Sequence, residues 1–267
     1  MFKELGAFVK DMWHGRKLLL EFSYNDFKAR YAGSMLGIAW AFVNPLVMVL
    51  TYWIVFSKVM RSGSTENFPF IVYLMTGMVS WFFFSDVFTT GTSVFREYSY
   101  LVKKVVFNVR ILPTAKLLSN LLTHFFFIIV AFLICFAYKI FPTLQTLQLF
   151  YYLFALCVFL TGLTWITASI QPFFPDITQL IGVFMQALMW ATPVLYSPMM
   201  FPETYRFILK INPLYYIVMG YRDSFLSRGW FWEHPALTIY FWVVTIILLL
   251  VGSAMFKRLK PHFSDVL

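Results

Sequence analysis

Acidic side chains and cysteines are the scarcest chemical resources in this sequence: 267 residues contain twelve Asp plus Glu and two Cys. Charged residues together make up 12%, about half the ~25% usual for a soluble domain. That leaves too little polar surface to dress a water-facing globule. Cys135 and Cys157 lie in separate apolar runs without CxxC spacing or histidine neighbours, so they read as buried thiols rather than a metal centre. His14, His124, His234 and His262 are scattered without ligand spacing, so no metal site is read. No Gly-Lys dipeptide occurs anywhere, which excludes a Walker-type phosphate cradle. Asp86 is the one carboxylate clearly inside an apolar run. A self-sufficient ion-coupled transporter usually shows paired intramembrane carboxylates or a broken-helix repeat, and neither is present.

What the chain does have is apolar length: 60% of residues are hydrophobic and 21% aromatic. A bilayer forces backbone groups to be satisfied internally, and long runs without strict alternation select helices over a barrel. The expected fold is therefore an all-α integral membrane domain filling residues 1–267, with six spans. They lie at about 35–57, 68–92, 112–138, 147–170, 177–196 and 236–256, each near the ~20 residues needed to cross a ~30 Å core. Asn44-Pro45 predicts a kink inside the first, and Pro69, Pro113 and Pro235 stand where helices begin. Ahead of the spans, Leu5, Phe8, Val9, Met12 and Trp13 share one face, with Lys3, Glu4, Lys10, Asp11, His14 and Lys17 on the other. This predicts an N-terminal amphipathic helix over about 3–20, lying in the headgroup plane. That charged, amphipathic beginning does not read as a cleavable signal peptide.

Between the fifth and sixth spans, Pro198, Pro202 and Pro213 cut an apolar segment into pieces too short to cross. Two short helices, over about 202–211 and 214–226, predict a re-entrant or extracellular hairpin. Either a gate or a cap on the bundle fits it, with Glu203, Arg206, Tyr215, Tyr216, Arg222 and Asp223 as its polar and aromatic candidates. In the first helix Glu203 and Lys210 also suit the helix dipole.

Six spans put both termini and the segment after the second span on one side. That side carries fourteen basic residues against seven on the other (Lys58, Arg61, Lys139, Arg206, Lys210, Arg222 and Arg228), so it is expected to be cytoplasmic. The +9 net charge is thereby a matter of orientation and anionic headgroups, not of nucleic acid. The most charged internal segment, residues 96–110, sits on this side. A loop obeying the positive-inside tendency explains its lysines. It is also a place where mechanical work could enter from a partner protein. Of the aromatics, Tyr52, Trp53 and Phe56 on the first span and Trp190 and Tyr196 on the fifth are candidates for a wall along which sugar rings slide. Packing and interfacial belts are the alternative. His124, inside the third span, reads as a neutral imidazole hydrogen-bonded to a neighbouring helix.

Four motifs then occur in order: Phe27-Lys-Ala-Arg-Tyr-Ala-Gly-Ser-Met-Leu-Gly-Ile-Ala-Trp-Ala-Phe-Val-Asn-Pro45; Leu101-Val-Lys-Lys-Val105 with Ile111-Leu-Pro113; Asn212-Pro-Leu-Tyr-Tyr-Ile-Val218 with Gly220-Tyr-Arg-Asp-Ser-Phe225; and Lys260-Pro-His-Phe-Ser-Asp-Val-Leu267. Over nearly its whole length the chain resembles permeases of the ABC-2 family that export lipid-linked polysaccharides; Asn108 stands where the family often has Pro. The resemblance implies a transport subunit that is not itself an enzyme. It would work as a homodimer paired with two copies of an ABC ATPase, and ATP and Mg would be bound by that partner, with no cofactor on this chain. Glu97, Tyr98, Tyr100, Leu101, Val102, Lys103, Lys104 and Val105 would then couple the ATPase to the spans. The cargo would be a polymer on a polyprenyl diphosphate carrier, moved to the outer leaflet of a bacterial plasma membrane. The segment 215–225 looks most like wall teichoic acid exporters, with O-antigen or capsular polysaccharide as the alternative. A more distant alternative, a membrane enzyme acting on polyprenyl-linked sugars, would need acidic or histidine constellations near the interface, and the acidic residues are mostly isolated.

Overall fold

A computed structural model describes residue 6 and residues 12–59, 64–103 and 108–267. The described residues are all-helical apart from one two-stranded ribbon, and among them five helical stretches are long and apolar enough to cross a membrane. They are Gly37–Val59, Phe70–Thr92, Ile111–Ala137, Leu144–Ile170 and Pro235–Val266.

Helix α1 (Arg16–Arg30) turns Leu19, Ser23, Asp26 and Phe27 inward at helical spacing, and these pack on the start of the third span. Of the expected amphipathic helix at 3–20, residues 3–5 and 7–11 lie outside the described residues. Its described part runs on to Arg30, because residues 24–30 hold no glycine or proline and Asp26 pairs with Arg30 one turn later. Helix α2 (Trp40–Ile54) contains Pro45 and passes into a π-helical turn at Val55–Val59. The strands β1 (Ser64–Thr65) and β2 (Phe68–Pro69) then pair antiparallel, with Glu66 and Asn67 both at positive φ in the two-residue turn.

Helix α3 (Phe70–Thr92) is apolar all round and buried along most of its length, so it forms the axis of the bundle. After two short helices, α4 (Val94–Glu97) and α5 (Ser99–Val102), α6 (Ile111–Ala137) and α7 (Gln148–Ile170) pack on either side of it. Helix α11 (Pro235–Leu259) packs most extensively on α7. There the two backbones touch through glycines: a Cβ added at Gly252 would stand 2.8 Å from the Gly162 carbonyl oxygen. The chain ends in α12 (Phe263–Val266), whose Phe263 is buried.

The fifth expected span, 177–196, is shorter than predicted. Helix α8 (Ile177–Ala191) has 15 residues, about 22 Å of rise, and it stops because Pro193 drives Thr192 into an extended conformation (φ −106°, ψ 133°). The hairpin forms as α9 (Arg206–Ile211), preceded by a 3-10 turn at Glu203–Tyr205, and α10 (Pro213–Leu226), which Ser227 closes in the left-handed region.

Candidate functional site

Two polar regions interrupt this apolar bundle, one at each end. The first is built on a stripe of α6. Lys116, Asn120 and His124 recur every fourth residue of an otherwise greasy helix, so all three point one way, and all are buried. Lys116 Nζ donates to Asp26 Oδ1 of α1 at 2.5 Å and to Glu97 Oε1 of α4 at 2.8 Å. Tyr98 donates its hydroxyl to the same Asp26 oxygen at 2.5 Å, and its ring lies 4.8 Å from Phe22. Arg30 Nη1 donates to Asn120 Oδ1 at 2.7 Å, and Asn120 Nδ2 reaches Thr90 Oγ1 of α3 at 3.2 Å. His124 Nε2 meets the Tyr221 hydroxyl of α10 at 3.0 Å, a partner on another helix as its position in the span predicts.

Burial alone would raise the Asp26 pKa; the Lys116 charge and the hydrogen bonds from Lys116 and Tyr98 outweigh it, so the carboxyl lies below its ordinary value. Tyr98 is pushed well above the usual phenol range, first by burial and then by its bond to that carboxylate.

The segment between α3 and α6 thereby acquires an inside and an outside. Glu97 and Tyr98 are tied to the cluster, while Leu101 and Val102 pack against Val94, Phe95 and Phe263. Tyr100 and Lys103 are exposed. The predicted coupling set therefore does not face one way: of its six described members, four hold the segment down and two project from it. Lys104 and Val105 lie outside the described residues. Asp26, Arg30, Lys116 and Asn120 escaped the sequence reading as a group; the four-residue polar spacing of α6 is the signal that would have exposed two of them.

The second region lies at the opposite end, where α3, α7 and α11 begin. A cavity of about 340 Å³ opens there between α10, the starts of α7 and α11, and the β1–β2 turn. It collects Arg206, Tyr215, Tyr216 and Asp223 from the predicted hairpin set. Glu203 is exposed beside Arg206, 3.6 Å away. The Glu66 carboxylate accepts from the Ser197 hydroxyl and the Arg228 guanidinium, which outweighs its burial and lowers its pKa.

Arg222 departs from expectation. The sequence counts it among the basic residues on the side away from the termini and among the gate-or-cap candidates, and it is wholly buried. Pro193 leaves the backbone after α8 outside any helix, and Arg222 donates to the carbonyls of Pro193 and Val194 and to the Tyr73 carbonyl and hydroxyl. The orphaned acceptors attract the cation inward, and it staples the backbone after α8 to α3.

The aromatic wall is only partly assembled within one chain. Tyr52 meets Met189 Sδ at 3.8 Å, joining α2 to α8, and Phe56 stacks on Phe70 at 5.4 Å. Trp53 packs partly buried against the core, Trp190 is exposed, and Tyr196 donates to the Trp190 carbonyl at 2.8 Å. None of these five residues lines the cavity beside α10.

With this geometry in place, similarity to known proteins is informative. The pattern described as ABC-2 type transporter matches residues 19–226. The chain is 29% identical over 251 residues to an O-antigen export system permease protein RfbA of Klebsiella pneumoniae, covering 94% of this chain and 95% of that protein. It is 28% identical over 259 residues to the protein of the same name from Myxococcus xanthus, covering 96% and 98%.

Proposed function

Because the chain belongs to the ABC-2 type transporter family, we propose that it is the membrane subunit of an ATP-driven exporter of a lipid-linked cell-surface polysaccharide. The family match across both the coupling segment and the hairpin is the observation that carries this reading. The relatives named above are O-antigen export permeases, so O-antigen replaces wall teichoic acid as the favoured polymer. A homodimer with two ATPase copies, in the bacterial inner membrane with both termini cytoplasmic, is the proposed assembly. ATP and Mg belong to the ATPase.

In this mechanism the ATPase grips Tyr100 and Lys103, two exposed side chains of the coupling segment. Movement passes through Glu97 and Tyr98 to Lys116, and so to α6 and α1 together. The cargo needs a protein path because burying an unpaired sugar hydroxyl in lipid costs several kcal/mol. Tyr52, Trp53, Phe56, Trp190 and Tyr196 border that path along α2, α8 and the segments that follow them. Arg222 supports reading the hairpin as a cap whose α10 stays fixed, with the exposed α9 as its free edge.

Copurification with an ABC ATPase tests the reading. Hydrolysis is expected to depend on this chain and to fall about tenfold or more with Lys103→Glu and Tyr100→Ala, as for loss of an interface anchor. Export by vesicles holding this chain without any ATPase would overturn it.

A further inference from the structure

The cavity beside α10 carries chemistry that the export cycle leaves unused. Most of the charges on its wall are already engaged. Glu66 binds Arg228, Arg206 donates to the Phe201 carbonyl at 3.0 Å, and Glu233 accepts the Trp230 N–H at 3.0 Å. Two charged wall residues, Asp223 and Lys210, make no side-chain hydrogen bond or ion pair among the described residues. Asp223 is nonetheless half-buried, and its neighbour Arg222 points away toward the backbone after α8. A half-buried carboxylate without a hydrogen-bond donor is an acceptor waiting for one.

The remaining walls are aromatic. Tyr152, Tyr216 and Trp230 border the space. Tyr216 is fixed by a hydroxyl chain from Trp242 Nε1 through Tyr151, at 2.9 Å per step. Gly220 lets Tyr152 approach: a Cβ there would fall 2.1 Å from the ring. The loop carrying Trp230 is held by Gln148, whose side chain binds the Gly229 carbonyl at 2.8 Å and the Phe231 N–H at 2.7 Å. The walls are therefore built before any ligand arrives, and about 340 Å³ is at the small end of ligand cavities.

Charge decides the ligand class. The wall's carboxylates (Glu66, Asp223, Glu233) are matched by its Arg206, Lys210 and Arg228, so an anion such as phosphate gains little here. A neutral polyhydroxyl ring gains both: vicinal hydroxyls donate to Asp223 and accept from Lys210, and the ring's C–H face packs on an aromatic wall. We propose that this cavity is a saccharide site taking a single pyranose unit, with Asp223 and Lys210 as its polar contacts and Tyr216 and Trp230 as its apolar ones. The pyranose could belong to the emerging polymer, an assignment resting on the exporter reading, or to a glycolipid headgroup in the outer leaflet.

The test uses the full chain in lipid nanodiscs, without ATPase or nucleotide, titrated with methyl glycosides of glucose, galactose, mannose, rhamnose and N-acetylglucosamine while tryptophan fluorescence is followed. A saturable response to at least one glycoside is expected, weakened about tenfold or more by Asp223→Asn, in line with loss of a charge-assisted hydrogen bond. Lys210→Ala is the second variant, on an exposed residue whose loss leaves folding intact. No saturable response from any glycoside in a monodisperse preparation, or a response unchanged in both variants, overturns the site. Tighter binding of an oligosaccharide fragment of the polymer assigns the site to cargo. Competition by a glycosyl diacylglycerol in the disc assigns it to lipid; both uphold a saccharide site. Because no ATPase is present, failure here leaves ATP-driven export standing, and failure of export leaves this binding standing.

Discussion

Arg222 shows how one side chain can hold a break in a membrane fold. Its guanidinium offers five donors in a rigid fork, and it serves three carbonyls and a phenol oxygen gathered around the end of α8. Lysine cannot reach so many acceptors from one point, so Arg222→Lys and Arg222→Ala are both expected to destabilise. Each buried acceptor left bare costs about 1–3 kcal/mol, and the thermal unfolding midpoint in detergent would register the loss. Asp26 gives a second residue-scale expectation, in pH. Its pKa is depressed in the fold, so its contribution is complete above the unfolded value of about 3.9 and disappears as pH falls through the folded one. Asp26→Asn should cost about 3 kcal/mol at neutral pH by stranding part of the Lys116 charge, and should flatten the acid side of the stability profile. A profile with the same acid slope in both proteins would refute the pairing. Neither arrangement could be read directly from the chain: Lys116 and Asp26 are 90 positions apart, and a lysine just inside a span looks like any interfacial cation.

At the scale of elements, the helices were legible because their boundaries have local causes. Pro69, Pro113 and Pro235 mark starts, and the apolar runs after them are long enough to dominate everything else. The predicted spans 68–92, 112–138, 147–170 and 236–256 match Phe70–Thr92, Ile111–Ala137, Gln148–Ile170 and Pro235–Leu259 to within a few residues. Hydropathy misled where backbone chemistry overruled it, at the early end of α8 before Pro193 and the long run of α1 to Arg30. Which helices would touch most closely had only a faint signature, the small residues Gly162 and Gly252. These carry a prediction with its own control. At Gly252 a methyl group meets the Gly162 carbonyl oxygen at 2.8 Å and Trp165 Cβ at 3.0 Å, and neither can swing aside. Gly252→Ala should therefore push α7 and α11 apart and cost about 1–3 kcal/mol. At Gly182 of α8 an added Cβ meets nothing within 4 Å in the single chain, so in detergent-solubilised monomer Gly182→Ala should be neutral or gain up to about 1 kcal/mol of helix propensity. Comparing the two variants' thermal midpoints separates close packing from a general effect of replacing glycine.

For the whole molecule, the decisive asymmetry is between faces that lipid can cover and faces it cannot. Leu133 on α6 and Phe150 on α7 are exposed and apolar, which suits acyl chains. Helix α8 differs. Gln179 and Gln186 are two turns apart on one side of it, and both are exposed, with exposed Val183 between them. Side-chain amides turned toward hydrocarbon lose hydrogen bonds to water without replacement, so this face is expected to meet protein or a watered path. Helix α2, joined to α8 through Tyr52 and Met189, is itself scarcely covered by the rest of the chain, with Ala41 and Val49 its buried residues. The two helices together form the face on which a second copy would sit. Single cysteines in a background lacking Cys135 and Cys157 can locate that copy in native membranes. Val183→Cys and Val47→Cys should yield disulfide-linked dimers on oxidation, whereas Leu133→Cys and Phe150→Cys should remain monomeric. Dimers forming at the latter pair instead would place the partner against α6 and α7, and the amides of α8 would then have to face an aqueous groove within a single chain.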